Sequence, residues 1–372
     1  MIFFPLDTKR GCNLVYRKGA LSEPKTLPEE GSFVWGFSES LPRQRYIYAS
    51  LLFNGGSVKD ICPSSLSEEH SYYYDKLLAH YKSFKTAKVN LDENCFFDLV
   101  PESFLLGLYS TKEKILKYRM NDITIPKDYE ILSKIHEICV TISNQRLNGA
   151  DKKVRYNMFG TKTGRLSTFK GSYPILNMKK EDRSLLKPNN DMFVELDYNG
   201  AEIRTLLYFS GENQPDYDIH EFNKKTAVKG IETRQQAKER FFAWLYNPLS
   251  KDDTLEKIYN KNVYQKFYNN GIIGTPFFRN LEVEEKKALN YLLQSTTSDL
   301  VLENTHKLLD LFQDKKTFVA FTMHDSVVLD FAKEDAHLIK ESIDIFSNTR
   351  FGKYLTNIKM GKNFGDMREI DV

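Results

Sequence analysis

Two aspartates in this chain each close a largely apolar run. Asp197 ends the run MFVELD, and a turn at Asn199-Gly200 follows, with Glu202 and Arg204 set among apolar residues beyond it. Asp325 lies with His324 between TFVAFTM and SVVLDF, a pattern that predicts a tight hairpin in a buried antiparallel sheet. A sheet that brought these strand ends together would set two carboxylates side by side, and they repel unless a cation neutralises them. Such hard oxygen donors suit magnesium, which keeps several waters and shares itself with substrate phosphates. Two ions about 4 Å apart would clamp an in-line phosphoryl displacement. Taken singly, Asp325 reads more readily as a turn residue and Asp197 as a solvated strand end.

Three further constellations accompany the aspartates. Arg234, Lys238, Phe242 and Tyr246 are spaced four apart, which on a helix makes one slowly drifting stripe about 18 Å long. Two cations followed by two rings suit a ligand with an anionic tail and a flat head, such as a nucleoside triphosphate. The same stripe also fits an amphipathic helix with a basic end and an aromatic end. TKTGRLST (161–168) sets hydroxyls, Thr163 among them, and Arg165 around a glycine turn. Such a loop can approach a sugar-phosphate backbone closely, or it can be an ordinary polar turn. Asn290 and Gln294 lie four apart on an otherwise apolar helical pattern. Buried amides need partners, which nucleic-acid bases and sugars or a neighbouring helix could supply.

The elements that must position these groups follow from patterning. Residues 1 to about 105 mix short β-like runs (SFVWGF, RYIYASLLF) with Pro, Gly and Ser breaks, which predicts a small α/β or α+β domain. From about 106 to 150 the pattern is helical, with Ile131, Ile135, Ile138 and Ile142 on one stripe that Leu132 and Cys139 widen. Asn148-Gly149 then breaks the chain. A strand-turn-helix is expected over 192–210, helices over 231–246 and 283–312, and a turn-rich stretch around Gly271, Gly274 and Pro276.

A chain of 372 residues holds two or three domains of ordinary size. Its hydrophobic fraction of 41%, with 13% aromatics, excludes wholesale disorder. A net charge of +3 does not diagnose a nucleic-acid binder, since a basic groove and an acidic site can be segregated. Cys12, Cys62, Cys95 and Cys139 are scattered without a C-x-x-C pair, which fits reduced thiols better than a disulfide frame or a zinc site. No apolar run approaches the roughly 20 residues of a membrane span. MIFFPLDTKRGC lacks the basic-then-apolar pattern of a secretory signal. A cytoplasmic protein with no membrane partner is expected.

In their order, these pieces resemble the polymerase region of family A DNA polymerases, the bacterial DNA polymerase I type. DYNGAEIR (197–204) is similar to motif A, usually DYSQIELR, and RQQAKERFFAWLY (234–246) keeps the R-x-x-x-K-x-x-x-F-x-x-x-Y spacing of motif B. MHDSVVLD (323–330) resembles motif C, TKTGRLS the T-x-TGRLSS element, and Pro174 to Asn177 the P-N-L-Q-N that follows it. The terminal MGKNFGDM is similar to a closing G-x-N-W. The likeness spans roughly 130–372.

The resemblance implies an α+β right-hand polymerase fold: an antiparallel palm sheet, a helical thumb (106–160), and a palm (161–372) into which short fingers (about 211–270) are inserted. It implies that Asp197 and Asp325 hold two Mg2+ ions, for which Mn2+ can substitute. Arg234 and Lys238 would bind the triphosphate and stabilise the leaving pyrophosphate. Phe242 would pack on the nucleotide sugar, Tyr246 would stack near the template base, and Tyr198 would face the substrate. Glu202 would exclude a 2′-hydroxyl. Arg165, Thr163, Asn177, Asn290, Gln294 and His324 would contact primer-template DNA. The implied partners are that DNA, deoxynucleoside triphosphates, and a separate exonuclease or processivity factor, in a bacterial or phage-infected cell.

The chain departs from the family pattern at several points. Ser326 stands where motif C usually has glutamate, Asn247-Pro248 follows Tyr246 in place of glycine, and Lys286 stands for arginine. Residues 1–105 hold no readable proofreading motif and could be a reduced remnant of that domain. Two other functions share these features: a single-subunit RNA polymerase, which the His324-Asp325-Ser326 triplet resembles, and a non-catalytic primer-template binder.

Overall fold

The computed structural model describes residues 1–8, 11–23, 27–38, 41, 45–91, 93–121, 123–226 and 233–370. Residues 231 and 232, at the expected start of the helix carrying Arg234, and the side chain of Cys12 lie outside the described residues. The chain is a mixed α+β protein in two compact units, Met1–Ser133 and Lys134–Val372.

In the first unit, β1 (Ile2–Thr8), β2 (Gly11–Arg17), β3 (Ala20–Ser22), β4 (Phe33–Val34) and β5 (Ile47–Tyr48) form one sheet in the order β3-β2-β1-β4-β5. β1–β2 and β2–β3 pair antiparallel, whereas β1–β4 and β4–β5 pair parallel. The helices α1 (Ser67–Thr86) and α2 (Glu102–Met120) follow, and Phe4, Leu6 and Tyr16 share a core with Phe104, Leu105 and Leu108. Leu105, the expected end of the N-terminal domain, thus lies inside α2, and the unit runs on to Ser133. The β-like runs are shorter than their composition predicts, because Ala49–Phe53 coils into a 3-10 helix. Asn54 ends that helix with φ 52 and returns its N–H to the Ser50 carbonyl. The unit boundary falls within α3 (Tyr129–Asn144), whose predicted stripe of Ile131, Ile135, Ile138 and Ile142 is buried.

The second unit continues with β6 (Tyr156–Asn157), β7 (Ser167–Thr168) and β8 (Met192–Tyr198), then α4 (Ala201–Phe209), α5 (Ile219–Thr226) and α6 (Arg234–Tyr246). A small sheet of β9 (Tyr268–Asn269), β10 (Ile272–Gly274) and β11 (Asn280–Glu282) fills the turn-rich segment, ahead of the long helix α7 (Glu285–Leu311). The chain ends with the hairpin β12 (Phe318–Met323) and β13 (Ser326–Phe331), α8 (Ile339–Ser347), β14 (Asn348–Thr349), β15 (Gly352–Lys353), β16 (Thr356–Gly361) and β17 (Arg368–Glu369). The main sheet has the order β12-β13-β8-β16-β17, with every neighbour antiparallel. The strand-turn-helix and the hairpin therefore form as their patterns predict, and β8 lies in the middle of the sheet.

Helices α4 to α7 pack through one apolar cluster that includes Leu206, Ile219, Phe241, Trp244 and Leu293. That cluster fixes α6 relative to the end of β8. Thr233 starts α6 with a capping box: its hydroxyl accepts the Gln236 N–H at 3.2 Å, and the Gln236 side chain accepts the Thr233 N–H at 3.2 Å. At the other end Pro248 forces Asn247 into an extended conformation, and the helix stops at Tyr246. Among the described residues, no helix is long and apolar enough to cross a membrane.

The turn between β8 and α4 depends on Gly200, whose φ of 66 is left-handed and whose missing Cβ would lie 2.5 Å from Ile219 Cγ2. Gly200→Ala is expected to cost about 2 kcal/mol from the left-handed conformation and the clash together. Urea denaturation measures this loss, and an unchanged midpoint would contradict the packing described.

Candidate active site

Pairing within the main sheet decides which side chains meet. In β8 the residues alternate. Val194, Leu196 and Tyr198 are buried on one face, and Glu195 and Asp197 point to the other. Across the sheet Asp197 is opposite Ser326 on β13 and Asn357 on β16. The hairpin tip His324-Asp325 follows β12, and Tyr198 N–H donates to the Asp325 carbonyl at 3.3 Å. The two aspartates expected to meet are thus brought to one edge of the sheet. Burial pushes Asp197 up to about 7, reinforced by the charges of Glu195 and Asp325 and opposed by Lys359 and an Asn357 hydrogen bond. Burial likewise pushes Asp325 up to about 6, with Glu202 adding to the shift and Arg165 opposing it. Both groups resist ionisation until a cation offsets them.

Glu202, in the first turn of α4, is buried and gathers two of the predicted residues. Arg165 donates to one carboxylate oxygen, and the Tyr246 hydroxyl donates to the other. Tyr246 also shares a hydrogen bond with Gln294 of α7, and burial together with Glu202 raises its pKa. Its ring stacks on Phe242 with centroids 5.7 Å apart and planes within 10°. The glycine loop is held in place from behind. Gly164 has φ 77, and a Cβ there would lie 2.9 Å from the Arg279 guanidinium, which pairs with the buried Asp299 carboxylate at 2.7 and 2.8 Å. Thr161 closes the loop by donating to the Arg165 carbonyl at 2.7 Å. His324 stands at the hairpin tip with φ 49, and partial desolvation of its ring, with nearby Arg165 and Arg183, lowers its pKa.

Arg234 and Lys238 both emerge on exposed positions of α6. Arg234 grips Asp218 with two hydrogen bonds, Nε at 3.1 Å and Nη2 at 2.7 Å. Asp218 also starts α5 by accepting the N–H groups of His220 and Glu221 at 2.9 Å, and it accepts from Asn199 Nδ2 at 2.7 Å. Of the remaining candidates, Asn290 is half-buried on α7, Thr163 is buried in the glycine loop, and Asn177 is exposed at the end of a short 3-10 turn.

Tyr198 requires a correction. Expected beside the substrate, it points to the opposite face of β8, where its hydroxyl donates to the Phe346 carbonyl at 2.6 Å and its ring stacks on Phe346. Strand alternation forbids Asp197 and Tyr198 from sharing a face. Arg204 is likewise structural. It is fully buried and donates to the Asn199, Pro215 and Tyr217 carbonyls at 2.7, 2.8 and 2.8 Å, clamping the turn after β8.

Sequence patterning missed Glu195, Asp218 and His220. Glu195 was detectable by its i, i+2 spacing from Asp197 on a strand, and Asp218 by its position just before a helix. His220 is buried near Arg234 and Lys238. Burial pushes it down to about 4, with those two cations adding to the effect.

No family model matches the chain, nor does any curated protein. Among solved structures, the chain is similar to the POL domain of Pol1 from M. smegmatis in complex with DNA primer-template and dNTP. The identity is 13% and the TM-score 0.49, over 82% of this chain and 67% of that one.

Burial alone would raise Asp218, but hydrogen bonds from Arg234, Asn199 and the α5 backbone hold it well below the usual carboxylate range. A depressed native pKa stabilises the fold above the unfolded value of about 4, and the contribution is lost as pH falls through the native value. Asp218→Asn keeps a capping oxygen but loses the charge-assisted bonds from Arg234, and is therefore expected to cost about 1 kcal/mol at pH 7, a difference that shrinks in urea melts run at pH 3. A difference independent of pH would refute the role given to this carboxylate.

Proposed function

We propose that this chain is a template-directed DNA polymerase that extends a primer 3′ end with deoxynucleoside triphosphates. One observation carries the reading: the Tyr198 N–H to Asp325 carbonyl hydrogen bond, which joins the end of β8 to the hairpin tip and puts both aspartates at one sheet edge. Glu202, whose charge acts on Asp325, is held by Arg165 and Tyr246, and Arg234 of α6 is linked through Asp218 to Asn199 in the turn after β8.

The donor set fits magnesium. Among the described residues, no three His, Cys, Asp or Glu side chains form a ready-made cage. Two carboxylates alone leave positions for water and substrate phosphates, as that ion prefers. Asp197 and Asp325 would hold it, and manganese would bind the same donors. When bound, such an ion supplies activation of the primer 3′-hydroxyl and charge neutralisation at the triphosphate.

The chain's own side chains do the rest. The primer 3′-oxygen gives up its proton to solvent and bonds to the α-phosphorus as the bond to pyrophosphate breaks. Lys238 and Arg234 meet the charge that develops on the leaving group. Arg234 takes up phosphate by loosening its hold on Asp218, a carboxylate that a phosphate can replace in kind. Phe242 and Tyr246 offer a flat apolar surface to sugar and base. Glu202, pinned by Arg165 and Tyr246, occupies the space under the sugar and rejects a 2′-hydroxyl. Arg165, Thr163, Asn177, Asn290, Gln294 and His324 line the path of primer and template. In this reading the main sheet is the palm and α6 the fingers helix. A separate exonuclease or processivity factor is the kind of protein partner this reading allows.

A ribonucleotide-polymerising enzyme shares the His324-Asp325-Ser326 tip, and nucleotide preference separates the two readings. In primer extension with magnesium, the wild type is expected to incorporate deoxynucleotides over ribonucleotides, and Asp197→Ala to lose at least about 10²-fold in rate. Ribonucleotide preference would reassign the substrate. Equal rates for wild type and Asp197→Ala, or no extension by wild type with either metal, would end the reading.

A further inference from the structure

The carboxylate face of the main sheet holds a third acid. Glu195 lies two residues before Asp197 on the same face of β8, directly opposite Val328 on β13 and Lys359 on β16. Its carboxylate is occupied on both sides. The single proton of the Ser326 hydroxyl, diagonally across the sheet, is shared between Oε1 at 3.2 Å and the Met323 carbonyl at 3.1 Å, and the Lys359 ammonium donates to Oε2 at 3.1 Å. The side chain is only 13% exposed, so these two partners, not bulk water, satisfy most of it.

The arrangement leaves Lys359 a choice of acceptors. Asp197 is its diagonal neighbour on the same face, two register positions beyond Glu195, and diagonal neighbours lie within reach of a long side chain. Glu369 faces Lys359 from β17 but is exposed, so a pair with it is weakened by water. If Glu195 did not hold the ammonium, Asp197 would be the carboxylate to which it turns. Asp197 would then already be neutralised by a protein cation and would compete poorly for a metal. Ser326 completes the picture. It carries no charge where motif C usually has glutamate, but the carboxylate it contacts lies one strand away on the same face.

We propose that Glu195 is a positioning residue for the cation site: its carboxylate holds the Lys359 ammonium and the Ser326 hydroxyl, and so keeps the Asp197 carboxylate open to a divalent ion. The inference rests on the reading of Asp197 as a cation ligand and adds the device that keeps that ligand available.

Binding of Mn2+ alone to the full chain, followed by electron paramagnetic resonance, tests it without reference to catalysis. Glu195→Gln should weaken Mn2+ about tenfold, as loss of an orienting partner does at other metal sites. Adding Lys359→Met in that background should restore affinity to within about threefold of wild type, because the two residues act as a coupled pair. Unchanged affinity in Glu195→Gln would overturn the proposal, and so would a double variant as weak as the single one. Asp197→Asn is the control. If it abolishes Mn2+ binding while Glu195→Gln has no effect, only the role of Glu195 fails. If it too leaves binding intact, the cation site itself is wrong. Thermal melting checks that each variant folds. Should Glu195→Gln not fold, Lys359→Met alone decides, with tighter Mn2+ binding expected and unchanged or weaker binding contrary.

Discussion

Pairing of β8 with β13 in a single register is the constraint on which the rest of the second unit depends. With Asp197 opposite Ser326, Asp325 of the hairpin tip falls level with Tyr198, the last residue of β8, and the Tyr198 amide reaches the Asp325 carbonyl. A slip of one residue would turn Asp197 into the core and Tyr198 out of it, because side chains alternate with a period of two. The buried face resists that slip. Val194, Leu196 and Tyr198 on β8 and the wholly buried β13 would all lose their packing at once. The same apolar contacts that stabilise the sheet therefore hold two unwilling carboxylates together.

The charges around those carboxylates are distributed in pairs. Arg165 with Glu202, Arg234 with Asp218, Lys359 with Glu195 and Arg279 with Asp299 each satisfy an acid near the site or its supporting loop. Asp197 and Asp325 stand apart from this scheme. Asp197 has Asn357 as a hydrogen-bond partner and feels repulsion from Glu195, and burial raises both acids. With these four acids paired, Asp197 and Asp325 meet without an ion pair of their own among the described residues, and a hard cation would favour their ionised forms.

Much of this was legible in the sequence, because it rests on local periodicity. The apolar run ending at Asp197, the two runs around His324-Asp325, the four-residue stripe of α6 and the long pattern of α7 all form the elements that their patterns predict. What stayed hidden depends on pairing between distant segments. Glu195 looked like one more charge in a run until β13 and β16 set Ser326 and Lys359 beside it. Asp218 acquires its role only when α6 brings Arg234 to the start of α5. Tyr198 failed for the opposite reason: its nearness to Asp197 in sequence is nearness across a strand, which separates faces. The short strands of the first unit were overestimated because β-rich composition does not reveal a left-handed residue such as Asn54.

The central claim is that Asp197 and Asp325 share a divalent cation at the edge of the main sheet. Crystals of the chain grown with primer-template, a non-hydrolysable deoxynucleotide and manganese would test it in one anomalous difference map. The account predicts a peak within bonding distance of both carboxylates. A map with manganese elsewhere, or with Asp197 and Asp325 both turned away from it, would contradict the account.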